Sequence, residues 1–269
     1  MKISVILTTY NWPEALQVVL ASMAQQTVLP HEVIIADDGS GEATAACVQH
    51  AAAQLPFAVK HVWHEDHGFR AAMIRNRALA LARGEYIVFL DGDCVLPPWV
   101  LARHARLAEP GFWVTGNRVL LSRTYSEQVL RGEVDLNDWR LSFWWQQVRA
   151  GNCNSLSPLC RLPDFLFRKC RPQRWRGAKT CNLAVFKSDL LAINGFNEQF
   201  VGWGLEDSEL VIRLIRYGVH RKEGRFATGV VHLWHPERSR SHLNDNQKYL
   251  ELAQQSDTYF TPCGVDQYL

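Results

Sequence analysis

Between residues 3 and 90 the sequence alternates two kinds of segment, and this alternation limits the fold more than any other feature. Short apolar, β-branched runs at 3–7, 33–36, 59–63 and 86–90 are separated by Ala-, Leu- and Gln-rich stretches at 13–26, 42–54 and 71–83. Strand, helix, strand, helix predicts a mostly parallel sheet with helices on its faces, because parallel neighbours need a crossover long enough to hold a helix. Helix punctuation agrees. Asn11, with Pro13 in the first turn, is placed to cap the first helix, Ser40 the second, and Gly84 stands where the third should stop. Ligands of such sheets bind beyond the carboxyl ends of the strands, so the loops 8–11, 37–40 and 91–93 should share one rim.

Past about residue 115 the alternation stops. Residues 126–150 read as a polar, Trp-rich helical stretch, and 151–178 as loop, with Pro158, Pro163, Pro172 and a cluster of bases. Apolar patterning returns at 181–186 and 208–217, followed by a strand at 228–233. The expected organisation is one compact α/β domain with two sub-regions, 1–116 and 117–269, without a flexible linker. At 269 residues, 47% hydrophobic and 21% charged, the chain can bury such a core and disorder is not expected. Lys plus Arg number 29 against 27 acids, a net charge of +2, which is too weak a field for a nucleic-acid binder and makes every electrostatic argument local. No apolar run approaches the roughly 20 residues that span a bilayer. Residues 1–10 read as a first strand rather than a signal peptide, from which a cytoplasmic location is expected. Seven scattered cysteines (47, 94, 153, 160, 170, 181 and 263) without a C-x-x-C pair are expected to be reduced thiols.

Four groups carry chemistry. Asp91-Gly92-Asp93 directly follows the apolar run 86–90. Alone it reads as a turn, but two carboxylates at a strand end are hard oxygen ligands suited to Mg²⁺ or Mn²⁺ carrying a diphosphate. Asp37-Asp38-Gly39-Ser40 also follows a strand, where a carboxylate can accept from a base N–H. Trp203-Gly204-Leu205-Glu206-Asp207 opens a helical run, as capping acids do or as a general base beside a sugar held on an aromatic floor. His232-Leu233-Trp234-His235 closes the last strand. Positions three apart face oppositely on a strand, so both imidazoles reach one metal only if the strand ends between them.

Together, 6–11, 37–40, Arg75-Asn76-Arg77-Ala78-Leu79 and 84–93, in this order, resemble a family 2 glycosyltransferase of GT-A fold, a Rossmann-like, mostly parallel sheet flanked by helices. Residues 181–184, 194–198 and 202–207 resemble the galactosyltransferase-type module shared with chondroitin polymerases, polypeptide GalNAc-transferases and β4-galactosyltransferases. The resemblance implies a nucleotide-sugar-binding half at 1–116 and an acceptor-binding and catalytic half at 117–269. It implies that Thr8 and Asp38 hold uracil with Tyr10 nearby, that Arg75 and Arg70 face the diphosphate, and that Asp93 binds Mn²⁺ or Mg²⁺ with His232, or His235 in its place. Asp91 then falls near the ribose or the metal. Asp207 becomes the base, with Glu206, Trp203 and Gly204 against the sugars. One base and no covalent intermediate imply inversion, with a hexose or N-acetylhexosamine passing from a UDP-sugar to a hydroxyl of a surface glycan such as lipopolysaccharide core or capsule. The alternative is a catalytically silent sugar-nucleotide binder or scaffold, against which Asp93, Asp207 and His232 argue.

Residues 161–179 carry seven bases (Arg161, Arg168, Lys169, Arg171, Arg174, Arg176 and Lys179) against Asp164, interleaved with Phe165, Leu166, Phe167 and Trp175. Two readings stay open: a solvated loop, or one that meets an anionic membrane surface or a phosphorylated glycolipid, making the enzyme peripheral on the inner face of the plasma membrane. Nucleic acid has no second motif to support it. Trp139, Phe143, Trp144 and Trp145 read as one buried helical stripe rather than an acceptor platform, and 243–252 as a final helix or a dimer contact.

Overall fold

A computed structural model of the chain describes residues 1–164, 166–237 and 239–269; Phe165 of the basic segment lies outside the described residues. Strands β1 (Ile3–Thr9), β2 (Glu32–Asp37), β3 (Ala58–Trp63) and β4 (Tyr86–Asp91) alternate with helices α1 (Pro13–Ala24), α2 (Glu42–Gln54) and α3 (Ala71–Leu81). There follow β5 (Cys94–Val95), α4 (Val100–Leu107), β6 (Phe112–Thr115), β7 (Arg118–Leu120), α5 (Arg123–Leu130) and α6 (Leu141–Arg149). The chain continues through β8 (Asn182–Phe186), α7 (Lys187–Ala192), α8 (Glu206–Tyr217), β9 (His220–Glu223), β10 (Val230–His232) and α9 (Leu243–Gln255).

The main sheet has the order β3-β2-β1-β4-β8-β6-β9. Its first four strands are parallel, as the alternation predicts, whereas β8 runs antiparallel between β4 and β6. Period-two alternation sorts the core onto two faces. Val5, Leu7, Val33 and Val88 pack with α1 on one, and Ile6, Ile34, Ile87 and Phe89 pack with α3 and α8 on the other. A second sheet, β5-β10-β7, grows from the turn after β4 and places His232 opposite Cys94, one residue from Asp93.

Several local expectations change. Helices α1 and α3 stop at Ala24 and Leu81, short of the expected ends, and neither Asn11 nor Ser40 caps its own helix. They brace two loops instead. Asn11, left-handed at φ 48°, donates its backbone N–H to Ser40 Oγ at 2.8 Å, and Gly41 N–H donates to Asn11 Oδ1 at 2.9 Å. Gly84 is no helix stop but a close approach, since a Cβ there would lie 2.6 Å from Ser4 N. The stretch 126–150 splits into α5 and α6, with Trp139 in the connection. Trp144 is fully buried and stacks on Trp139 with centroids 5.7 Å apart, while Trp145 is 51% exposed beneath Arg149, so the aromatic stripe is a packing element that Trp145 does not join. All seven cysteines are free. Residues 243–252, read as a final helix or a dimer contact, lie in a helix that runs on to Gln255, and no helix of the described residues is long and apolar enough to cross a membrane.

Candidate functional site

The ends of β1, β2, β4 and β10, the start of α8 and the segment 177–181 surround one cleft of about 370 Å³. Its first wall is the turn after β4. Gly92 N–H donates to Thr8 O at 2.7 Å, and a Cβ on Gly92 would press on Thr8 O at 3.0 Å, so the glycine lets the turn seat against β1 and directs Asp91 and Asp93 into the cleft.

β10 ends at His232, so the chain turns before His235 and both imidazoles reach Asp93. His232 Nε2 lies 3.6 Å from Asp93 Oδ1, and His235 Nε2 lies 3.3 Å from Asp93 Oδ2. One ligand atom from each of the three residues lies within 4.8 Å of the others. The two histidines therefore join one cluster rather than compete for a place in it. His235 Nδ1 faces Pro236 O at 2.7 Å, which makes that nitrogen the donor and turns Nε2 toward Asp93. Burial, with Arg118 and His235 nearby, lowers His232 to about 3, and burial with Asp91 alongside raises Asp93 to about 6. The neutral His232 imidazole and a carboxylate crowded by its neighbour are what a divalent ion would bind and relieve.

The second wall is the first turn of α8, which starts at Glu206 rather than Ser208 and follows Leu205 at φ 77°. A left-handed leucine is strained backbone, here located where the two acids enter the cleft. Burial and the Glu206 charge raise Asp207 to about 7, while Arg75 and Lys179 oppose the shift. Glu206 accepts from Arg75 Nη1 at 3.0 Å. Arg75 also donates from Nη2 to Asp91 Oδ1 at 3.4 Å and from Nε to Thr8 Oγ1 at 3.1 Å, so it ties α3, β1, β4 and α8 together. Its guanidinium, expected to face a diphosphate, is engaged by the chain's own carboxylates.

The third wall follows β2. Asp38 accepts from Arg70 N–H at 2.9 Å, and His64 Nε2 lies 3.0 Å from its other oxygen. Burial raises the Asp38 carboxyl, and the Arg70 N–H and His64 counter it. Arg70 serves here through its backbone. Its Nε donates to His67 O at 3.3 Å, so the side chain that was expected beside a diphosphate does not line the cleft. Tyr10 lines the cleft and donates to Asp66 Oδ2 at 2.8 Å. At the mouth, Trp203 is 40% exposed, with Arg240 5.2 Å over its ring and Gly204 beside it.

His64 and Arg118 are residues that the sequence reading passed over, and Lys179 was named there only as one base of the segment 161–179. His64 and Arg118 stand just after β3 and β6, at the same rim as the acids, so the strand-end rule applied to every strand would have found them. Lys179 belongs to the basic segment but lines the cleft. Arg168 leaves that segment's surface altogether: it is 2% exposed and donates to the carbonyls of Glu223 and Arg225. Lys169 is paired with Glu109 at 2.6 Å.

The family profile "Glycosyl transferase family 2" matches residues 4–148, and "N-terminal domain of galactosyltransferase" matches residues 166–236. Validoxylamine A glucosyltransferase of Streptomyces hygroscopicus subsp. limoneus is 31% identical over 242 residues, 85% of this chain and 51% of that protein. Hyaluronan synthase of Pasteurella multocida is 32% identical across 80% of this chain and 23% of its own length, and chondroitin synthase of Escherichia coli 28% across 81% and 33%. The chain thus spans about half the length of the first of these relatives and less of the others. Among solved structures, mannosyltransferase PcManGT of Pyrobaculum calidifontis, in complex with GDP-Man and Mn²⁺, superposes with a TM-score of 0.61 at 20% identity, covering 95% of this chain and 64% of that one. Glucosyl-3-phosphoglycerate synthase of Mycobacterium tuberculosis, with Mn²⁺, UDP and glucosyl-3-phosphoglycerate, gives 0.53 at 16%, covering 96% and 80%.

Proposed function

Because the chain belongs to glycosyltransferase family 2 and has the GT-A fold, we propose that it moves a hexose or N-acetylhexosamine, with inversion, from a UDP-sugar to a hydroxyl of a glycan acceptor of the cell surface. One observation carries this reading: Asp207, a carboxylate raised to about 7, shares a cleft with the Asp93, His232 and His235 cluster. The structures that superpose on the chain include one with UDP and one with GDP-Man, both with Mn²⁺, so the nucleotide is a point for the test below.

In this reading Asp93, His232 and His235 hold Mn²⁺ or Mg²⁺, which when bound supplies positive charge to offset that gathering on the departing diphosphate. Two imidazoles beside one carboxylate favour a first-row transition ion over Mg²⁺. Asp38 accepts from the base N–H, and its rigid seating against Arg70 N–H and His64 fixes where that base lies. Trp203 and Gly204 present the acceptor, whose attacking hydroxyl passes its proton to Asp207. A base near neutral pH accepts that proton with useful driving force. Glu206 is neutralised by Arg75, so only one of the two acids is free to act, which fits a single displacement. Residues 1–116 then form the donor half and 117–269 complete the acceptor half.

The test is a donor-hydrolysis screen: purified protein with UDP-, GDP- and TDP-sugars, in Mn²⁺, Mg²⁺ or EDTA, following nucleoside diphosphate release. Metal-dependent release from one UDP-sugar, lost in Asp93→Ala, is the expected outcome. No release together with no binding of any nucleotide diphosphate overturns the reading.

A further inference from the structure

Three bases line the cleft, and they are not equivalent. Arg75 is 4% exposed, and each of its three nitrogens is engaged, with Glu206, Asp91 and Thr8, while its guanidinium lies 5.6 Å over the Phe196 ring. An incoming anion would have to displace contacts that anchor α8 to β4. Arg118 opens β7 and is half-buried. Among the described residues the one hydrogen bond of its guanidinium runs from Nη1 to Cys181 Sγ at 3.5 Å, sulfur being a weak acceptor, and no carboxylate lies within ion-pairing reach. The Lys179 ammonium likewise has no partner among the described residues, while its carbonyl is held by Asn182 N–H at 3.1 Å.

Both lie close to the chemistry. Asp91 and Asp93 are among the charges felt by Arg118, His232 feels Arg118 and Lys179, and Asp207 feels Lys179. The nearby acids favour the charged guanidinium of Arg118, yet none of the described ones pairs with it, so its fork stays open to the oxygens of a ligand. Five acids line the same cleft, Asp38, Asp91, Asp93, Glu206 and Asp207, and a divalent ion with the three bases would balance them, which leaves Arg118 and Lys179 without a dedicated partner of their own. Arg118 brings a planar fork suited to phosphate oxygens, and Lys179 a mobile point charge beside it.

We infer that Arg118 and Lys179 receive the diphosphate of the nucleotide sugar, and that Arg75 is a positioning residue that sets Glu206 and Asp91. The inference rests on the donor reading above. As the bond from the anomeric carbon to the β-phosphate oxygen breaks, its electron pair stays on that oxygen, where Arg118 and Lys179 meet the added charge. The new bond forms to the acceptor oxygen, and the acceptor's proton goes to Asp207.

Titration calorimetry with UDP, UMP and uridine in Mn²⁺ tests it, using Arg118→Gln and Lys179→Gln with thermal melts as folding controls. Lys179 is exposed, so its variant retains the fold, and Arg118→Lys reports whether charge alone suffices. UDP affinity is expected to fall at least tenfold in each Gln variant, about 1.4 kcal/mol, with uridine binding unchanged and the preference for UDP over UMP reduced. UDP affinity within twofold of wild type in both Gln variants overturns the assignment and leaves the donor reading standing. A wild-type protein that binds no nucleotide overturns both.

Discussion

Replacing Arg75 with methionine keeps the side chain's length and removes its charge. In the folded protein it leaves Glu206, 9% exposed, without the partner now 3.0 Å away, and Asp91 without the one at 3.4 Å. Stripping one member from a buried ion pair costs about 3–5 kcal/mol. With an unfolding entropy of about 2.1 cal/mol/K per residue, a chain of 269 residues loses about 2 °C of Tm per kcal/mol, so a fall of about 5–10 °C is expected at pH 8. The deficit also has a pH signature. A buried carboxylate without its counter-charge keeps a proton to higher pH in the folded state than in the unfolded chain, where carboxylates titrate near pH 4. Between those two values the folded variant binds more protons, so its stability declines as pH rises. The deficit is complete above the raised folded value and shrinks as pH falls toward 5. Thermal melts of wild type and Arg75→Met at pH 5, 6, 7 and 8 measure this directly. A Tm difference under 2 °C at pH 8, or one that does not change with pH, would refute the view that Arg75 is held by the protein's own acids.

Other outcomes follow from the same geometry. Asp207→Asn should lower transfer by about 10²–10⁴-fold while UDP still binds by calorimetry. The wild-type rate should fall on acidification through about pH 7, as the carboxylate raised to that value takes up its proton, rather than through the usual carboxylate range near 4. His235→Ala should weaken Mn²⁺ binding to the nucleotide-free protein at least tenfold by calorimetry, and an unchanged affinity would remove His235 from the ligand set. Trp144→Ala should cost about 3–5 kcal/mol in denaturant unfolding, whereas Trp145→Ala, on an exposed ring, should stay within about 0.5 kcal/mol.

The parallel half of the sheet was legible because strands buried on both faces are written as continuous apolar runs, and runs such as 86–90 have few other uses. The position of β8 was not. Its residues read as apolar, but their antiparallel seat beside β4 is a register of Leu90 against Asn182, across a separation that no local pattern encodes. In the cleft, the acids were legible because strand ends and a helix start place them. The histidine pair turned on whether β10 ends at His232 or one residue later, finer than a pattern can resolve. The partners of Arg75, and the free fork of Arg118, depend on which bases the closed fold brings across the cleft. Asn11 and Ser40 show the same limit: both were recognisable as local hydrogen-bonding residues, yet each satisfies the other's loop, because the ends of β1 and β2 lie side by side.

The antiparallel strand at the centre of the sheet also sets the order in which the molecule can be completed during synthesis. β4 ends at Asp91, its neighbour β8 ends at Phe186, and β6, although translated long before, pairs with β8 and β9 and not with β4. At about 5–20 residues per second the ribosome needs roughly 5–20 s to deliver the missing strand. Through that interval the nascent chain displays an unpaired strand edge, apolar up to Leu90, the kind of surface to which holding chaperones bind and along which neighbouring nascent chains pair. Asp91 ends this strand and Asp93 follows two residues later, so the carboxylates that line the mature cleft stand at one end of the open edge, where charge is the ordinary guard against edge-to-edge pairing.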